Sequence, residues 1–249
     1  VALVVAAAVA GCTGGDARSP GSTPPATSER PITYAAVGAS ETAGVGTEDP
    51  TLDAWPRVLW RTLPAGSVLY DFGVGGSTTR QALREQVDAA VAVGADVATV
   101  WLNVNDLLRG VPAAEYGRRL LAVVRSLRAS GATTVLVANT PRLDTLPLYR
   151  ACRSRTGTYV APLGNVVACP PDVGLVTPPP ARVRAAVAAY NETIERIVRE
   201  EGAVLVDLHA LGDVPTEQPE LVSEDGFHPS TEGAAAIAAA FEQVLAAVV

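Results

Sequence analysis

The chain predicts an α/β domain, a three-layer α/β/α sandwich around a five-stranded parallel sheet. Three observations carry that expectation. Short apolar runs alternate with helical patterns from residue 32 to the C-terminus. The runs are nearly continuous in apolar residues, as strands covered on both faces are. Polar, glycine-rich segments follow several of the runs, and in such sheets ligands bind beyond the carboxyl ends of the strands.

The elements follow in order. Residues 32–37 form an apolar run that stops at Gly38 and reads as a buried strand. Residues 53–63 read as a helix capped by Asp53, with Leu52, Trp55, Val58 and Leu59 on one side. Residues 67–72 are the second strand. Residues 78–93 are a helix, with Ala82, Val87, Ala90 and Val91 at helical spacing. Residues 97–102 are the third strand, and residues 113–129 a helix that Gly131 terminates. Residues 133–138, rich in β-branched side chains, are the fourth strand. A long helix over 181–201 stops at Gly202, the fifth strand covers 203–208, and an Ala-rich helix over 231–248 closes the chain. Residues 140–180 break this rhythm. They are Pro-rich and hold Cys152 and Cys169, so they read as an insert stapled beside the active edge. Leu146, Leu148, Tyr149 and Val160 in it offer an apolar binding surface.

The 249 residues are 48% apolar, enough for a sizeable core in one domain or two small ones. The formal net charge is −7, and every basic side chain other than histidine is Arg. A basic groove is absent, which argues against nucleic acid as a partner. Without Lys there is no P-loop, and Gly73-Val74-Gly75-Gly76 lacks the full dinucleotide fingerprint. His209 and His228 are the only histidines, too few and too far apart for a zinc set. No metal and no cofactor is expected.

Residues 1–12 read as the remnant of a signal peptide. The run is too short to span a bilayer and ends in Val9-Ala10-Gly11-Cys12, which resembles a bacterial lipobox with Cys12 as the lipidated residue. Residues 13–31 are Gly, Ser, Thr and Pro with few apolar residues, a flexible tether. The expected location is extracytoplasmic, as a membrane lipoprotein or secreted protein. With Cys12 set aside, Cys152 and Cys169 are an even remainder, which in an exported chain suggests a disulfide. Closing a loop of about 16 residues contributes roughly 3 kcal/mol in the loop-entropy account.

Four segments carry the chemistry. Val37-Gly38-Ala39-Ser40-Glu41-Thr42-Ala43-Gly44 places a serine in a glycine-rich turn after the first strand. Gly75-Gly76-Ser77-Thr78 follows the second strand, and Asn103-Val104-Asn105-Asp106 the third. Asp225-Gly226-Phe227-His228-Pro229 follows the fifth. A serine hydroxyl needs a base within hydrogen-bond reach to become a nucleophile. His228 is the candidate base, because Asp225 three residues earlier can hold one ring nitrogen while the other faces Ser40. Glu224 is a weaker substitute for Asp225, and His209 reads as a structural histidine. Taken alone, Ser40 is an ordinary turn serine and Asn105 a helix cap.

Together, in this order, the four segments resemble the four sequence blocks of the SGNH (GDSL-type) hydrolases. The resemblance covers roughly residue 32 to the C-terminus. It implies a flavodoxin-like strand order and a triad of Ser40, His228 and Asp225. It also implies an oxyanion hole made by the Ser40 N–H, the Gly76 N–H and the Asn105 side chain. Asp106 is expected to cap the following turn. The chain departs from the family at two places: Gly-Asp-Ser is Gly-Ala-Ser here, with Ala39 for the acid, and the Gly before x-Asn-Asp is Asn103, a side chain able to crowd the site or add a donor. The implied function is an extracytoplasmic serine esterase acting through an acyl-enzyme. Its substrates would be small esters, acylated carbohydrates or lipid esters, with membrane contact only through the N-terminal anchor. Ala39 and Asn103 favour the alternative, a non-catalytic surface lipoprotein of the same fold that binds a glycan or a protein.

Overall fold

The computed structural model describes residues 30–153, 158–160, 166–168 and 178–248; Cys12, Cys169 and the tether up to residue 29 lie outside the described residues. The main sheet has five strands in the order β2-β1-β3-β4-β7. These are β1 (Thr33–Gly38), β2 (Val68–Asp71), β3 (Val97–Trp101), β4 (Thr134–Ala138) and β7 (Val204–Val206), and every pairing is parallel. The chain passes from β1 to β2 on one side and then to β3 on the other. The crevice between the carboxyl ends of β1 and β3 is therefore the switch point where ligands bind in such sheets. Gly38 pairs with Trp101, so Ser40 and Asn105 leave the sheet side by side.

Alternation within the strands builds two cores. Ala35 and Val37, with Ala98, Val100, Val135 and Val137, face one helical layer. That layer comprises α3 (Thr79–Glu85), α4 (Val87–Ala92), α6 (Ala113–Arg128) and α8 (Pro180–Glu201). Tyr34, Ala36, Leu136 and Val206 face the other layer, α2 (Trp55–Trp60) and α10 (Thr231–Leu245). There Trp55 stacks on Phe241 with ring centroids 4.3 Å apart and meets Trp101 edge-on at 6.5 Å. Phe241 is completely buried, so Phe241→Ala should cost about 3–5 kcal/mol, read as a lowered midpoint in urea unfolding.

Several expectations need correction. The helix expected over 53–63 is two short ones, α1 (Pro50–Asp53) and α2, joined by Ala54, whose ψ of 134° is not helical. Pro56 is the cause: a continuous helix would drive its ring into the carbonyl four residues back, whereas it fits in the first turn of α2. Asp49, not Asp53, is the cap, accepting the Thr51 N–H at 2.9 Å. Leu52 is exposed, away from buried Trp55 and Leu59. The helix expected over 78–93 is interrupted at Gln86, and its Val91 faces solvent while Ala82, Val87 and Ala90 are buried. Strand β2 forms one edge, with Val68 and Tyr70 exposed, so cover on both faces does not extend to it.

The insert contains α7 (Pro147–Arg153) and a two-stranded antiparallel hairpin, β5 (Thr158–Val160) with β6 (Val166–Ala168). Leu146 and Tyr149 are buried in a third cluster with Val104, Val183 and Val187. The Leu148 N–H donates to the Gly226 carbonyl at 3.0 Å, so α7 sits against the loop of Asp225 and His228. Cys152 is buried on α7.

Candidate active site

Strand β1 ends at Gly38, and Ser40 opens the turn that follows. Val45 N–H donates to the Ser40 carbonyl at 2.9 Å and Ala43 N–H to the Ala39 carbonyl at 3.0 Å. The turn stays close to the last loop because Gly46 has no side chain. Its φ is +99°, and a Cβ there would run into the Pro229 carbonyl and come within 2.8 Å of the His228 Cβ.

Ser40, His228 and Asp225 form one hydrogen-bonded line. His228 Nε2 lies 3.0 Å from Ser40 Oγ, and Nδ1 lies 2.5 Å from Asp225 Oδ2. The other Asp225 oxygen accepts from Ser223 Oγ at 2.7 Å, Phe227 N at 2.8 Å and His228 N at 2.9 Å. Burial alone would raise the Asp225 pKa. Its bond to the His228 ring, the His228 charge and the His228 and Ser223 donors outweigh burial and hold the carboxyl well below the usual range. Burial likewise pushes the His228 pKa down, but the bond and charge of Asp225, with a smaller push from Glu41, leave it raised above 6.5.

The donors expected around the oxyanion are tied to this line through a chain of buried hydrogen bonds. Gln86, at the joint between α3 and α4, is 1% exposed. Its Oε1 accepts the Gly38 N–H at 3.1 Å, and its Nε2 donates to the Gly38 carbonyl and to Ser77 Oγ, both at 3.0 Å. Asn105, on α5 (Val104–Leu108), donates through Nδ2 to the Ser77 carbonyl at 3.1 Å. An amide nitrogen has two hydrogens, so one remains for a ligand. The Ser40 and Gly76 N–H groups donate to no group among the described residues. Gly76, with φ +75°, occupies the left-handed region in the loop that Arg109 covers by donating to its carbonyl at 3.1 Å. Losing one oxyanion donor typically costs about 10²–10³ in kcat. Asn105 as one such donor predicts a loss in that range for Asn105→Ala, with KM for a simple ester changing much less in steady-state assays.

Asp106 does not cap the turn that follows it, because its carboxylate is bonded to Thr79 and Arg119 instead. It is fully buried and accepts from Thr79 N at 2.7 Å, Thr79 Oγ1 at 2.8 Å and Arg119 Nη1 at 3.3 Å, which locks the loop after β3 to the start of α3. Asn103 directs its Nδ2 to the Ala138 carbonyl at the end of β4, 3.1 Å away. Ala39 packs into the core. Neither departure puts a hydrogen bond on Ser40 or His228. His209 holds the Thr140 carbonyl through Nδ1 at 3.0 Å, and its own N–H donates to Asn139 Oδ1 at 2.9 Å.

Two residues of the site escape sequence reasoning. Glu41 is buried beside the serine, its Oε2 3.3 Å from Ser40 Oγ. Gln86 carries a faint signal, a polar residue on the buried stripe between Ala82 and Ala90.

The model of the GDSL-like Lipase/Acylhydrolase family matches residues 36–236. The chain belongs to this family of ester hydrolases. A search of the curated proteins gave no match. Among solved structures, the chain is similar to the psychrotrophic esterase EstA from Pseudoalteromonas sp., in a form inhibited by monoethylphosphonate: 15% identity, TM-score 0.61, covering 87% of this chain and 97% of that one. It is similar to TesA at 20% identity and TM-score 0.62, covering 87% and 99%. It is also similar to the acetyl xylan esterase AlAXEase at 16% identity and TM-score 0.57, covering 88% and 100%. All three share the fold.

Proposed function

We propose that the protein is an extracytoplasmic serine esterase that hydrolyses carboxylic esters through an acyl-enzyme on Ser40. The observation that supports this most is the line from Ser40 Oγ to His228 Nε2 at 3.0 Å and from His228 Nδ1 to Asp225 Oδ2 at 2.5 Å. Ser40 Oγ attacks the ester carbonyl carbon while His228 Nε2 takes its proton. Negative charge develops on the carbonyl oxygen and is met by the Ser40 N–H, the Gly76 N–H and Asn105 Nδ2. The bond to the alcohol oxygen breaks, and His228 returns the proton to that oxygen. Water, deprotonated by His228, then releases the acid and restores Ser40.

Asp225 holds the imidazole in the tautomer with Nδ1–H and stabilises the imidazolium. A short acyl group on a carbohydrate and a lipid ester both remain candidate substrates; the fold shared with an acetyl xylan esterase is compatible with the first. Hydrolysis of p-nitrophenyl esters from acetate to long chains tests the reading. Turnover in wild type that disappears in Ser40→Ala is expected, and a folded protein inert to every ester and to fluorophosphonate would favour a non-catalytic binder.

The location rests on the sequence: the lipobox-like Val9-Ala10-Gly11-Cys12 and the tether after it. We expect Cys12 to carry a lipid and Cys152 to pair with Cys169. Intact mass of membrane-fraction protein, before and after reduction, checks both. The expected results are a lipid adduct on Cys12 and a gain of two hydrogens on reduction.

A further inference from the structure

An apolar cavity of about 90 Å³ opens beside His228. Leu211, Val214, Pro215, Leu221, Phe227 and Ile237 form much of its wall. It meets the reacting groups through His228 and Glu41, and none of Ser40, Gly76 and Asn105 lines it. Its remaining charged side chain, Arg142, sits beside Asp144, with Nε 3.9 Å from Oδ1.

The reaction gives these two sides different tasks. The oxyanion must lie at Gly76 and Asn105. The departing oxygen must lie within reach of His228 Nε2, because that nitrogen hands it a proton. Of these two sides, the cavity touches the one with His228 and not the one with the oxyanion donors.

We propose that this cavity is the alcohol subsite, and that it selects esters of uncharged apolar alcohols of aryl or short branched alkyl type. The proposal rests on the Ser40–His228 mechanism above. In the step it serves, the acyl–oxygen bond of the tetrahedral adduct breaks. The bond's electron pair goes to the alcohol oxygen, the proton on His228 Nε2 follows, and the neutral alcohol departs from the cavity.

Two ester series test it. One holds the acetyl group and varies the alcohol through methyl, isobutyl, cyclohexyl and benzyl. The other holds methanol and lengthens the acyl chain from acetyl to octanoyl. Each kcat/KM is divided by the rate of hydroxide-catalysed hydrolysis of the same ester. The first series should rise by up to about fourfold per methylene buried. Ala236, on α10, also lines the cavity, and Ala236→Phe fills it. That variant should reduce the benzyl-to-methyl ratio at least tenfold, and Leu211→Ala should move the preference toward larger alcohols. A ratio that ignores the alcohol overturns the proposal. So does an Ala236→Phe effect confined to the acyl series, which would make the cavity an acyl site. Ser40-dependent turnover accompanying either result leaves the mechanism standing; absence of all such turnover removes the mechanism and this subsite with it.

Discussion

Ser40→Ala should lower kcat by a factor on the order of 10⁴–10⁶ while leaving the unfolding midpoint close to that of wild type. In the proposed mechanism the hydroxyl is the attacking group, and an alanine methyl leaves nothing for His228 Nε2, 3.0 Å away, to deprotonate. His228→Ala should cost a similar factor, because a serine without a base is a poor nucleophile at neutral pH. The diagnostic result is the double variant. Groups that act as one unit lose most of their effect with the first removal, so Ser40→Ala with His228→Ala should be about as slow as either single change. Multiplied losses would mean that the two side chains act separately. Ser40 is small and sits in a turn held by backbone bonds, so the fold should survive, as thermal unfolding followed by circular dichroism would report.

Asp225→Asn should cost about 10⁴ in kcat with KM little changed. The Asp225 oxygens accept from the ring Nδ1 and from Ser223, Phe227 and His228, and an amide cannot accept from all of them. Its NH₂ group, turned toward Nδ1, would place the ring proton on Nε2, the nitrogen that must be free to accept. The pH profile gives a second readout. His228 works as a base only when neutral, so kcat/KM falls as pH drops through its pKa. Burial pulls that pKa down, and the carboxylates of Asp225 and Glu41 more than reverse the effect. The acid limb in wild type should accordingly have its midpoint above 6.5, the ordinary histidine value. Removing the Asp225 charge removes a stabiliser of the imidazolium, so the limb should move to lower pH in Asp225→Asn. A limb that stays in place would show that Asp225 does not control His228.

The strands were the most legible part of the chain. The buried runs of β1, β3 and β4 appear within a residue or two of their expected bounds, because full burial leaves an uninterrupted apolar signal. Gly202, with φ +63°, ends α8 where a glycine stop was expected. The β5–β6 hairpin was not legible, since strands of three residues carry too few positions to show alternation. The joint at Gln86 was equally hidden. Local helical periodicity runs straight through it, while its bonds reach Gly38, 48 positions away in sequence.

The candidate site was legible because three of its four segments sit just beyond a strand and the parallel sheet gathers those ends, while the Asp225–His228 segment, well past β7, was legible from its own Asp-x-x-His pattern. The supporting roles of Glu41, Gln86 and Asp106 were not. They depend on which buried partners the folded chain brings near, as with Asp106 and Thr79, 27 positions apart. The Ala39 methyl packs into the core and the Asn103 amide donates to the Ala138 carbonyl, so neither side chain hydrogen-bonds the proposed triad.

Covalent trapping tests the central claim most directly. A fluorophosphonate reacts with a serine only where that serine is activated. Folded wild-type protein, treated with the reagent and digested, should carry one phosphonyl group on the peptide containing Ser40, with His228→Ala labelled far more slowly. Folded protein that stays unmodified at Ser40, or that is labelled equally well without His228, would contradict the account.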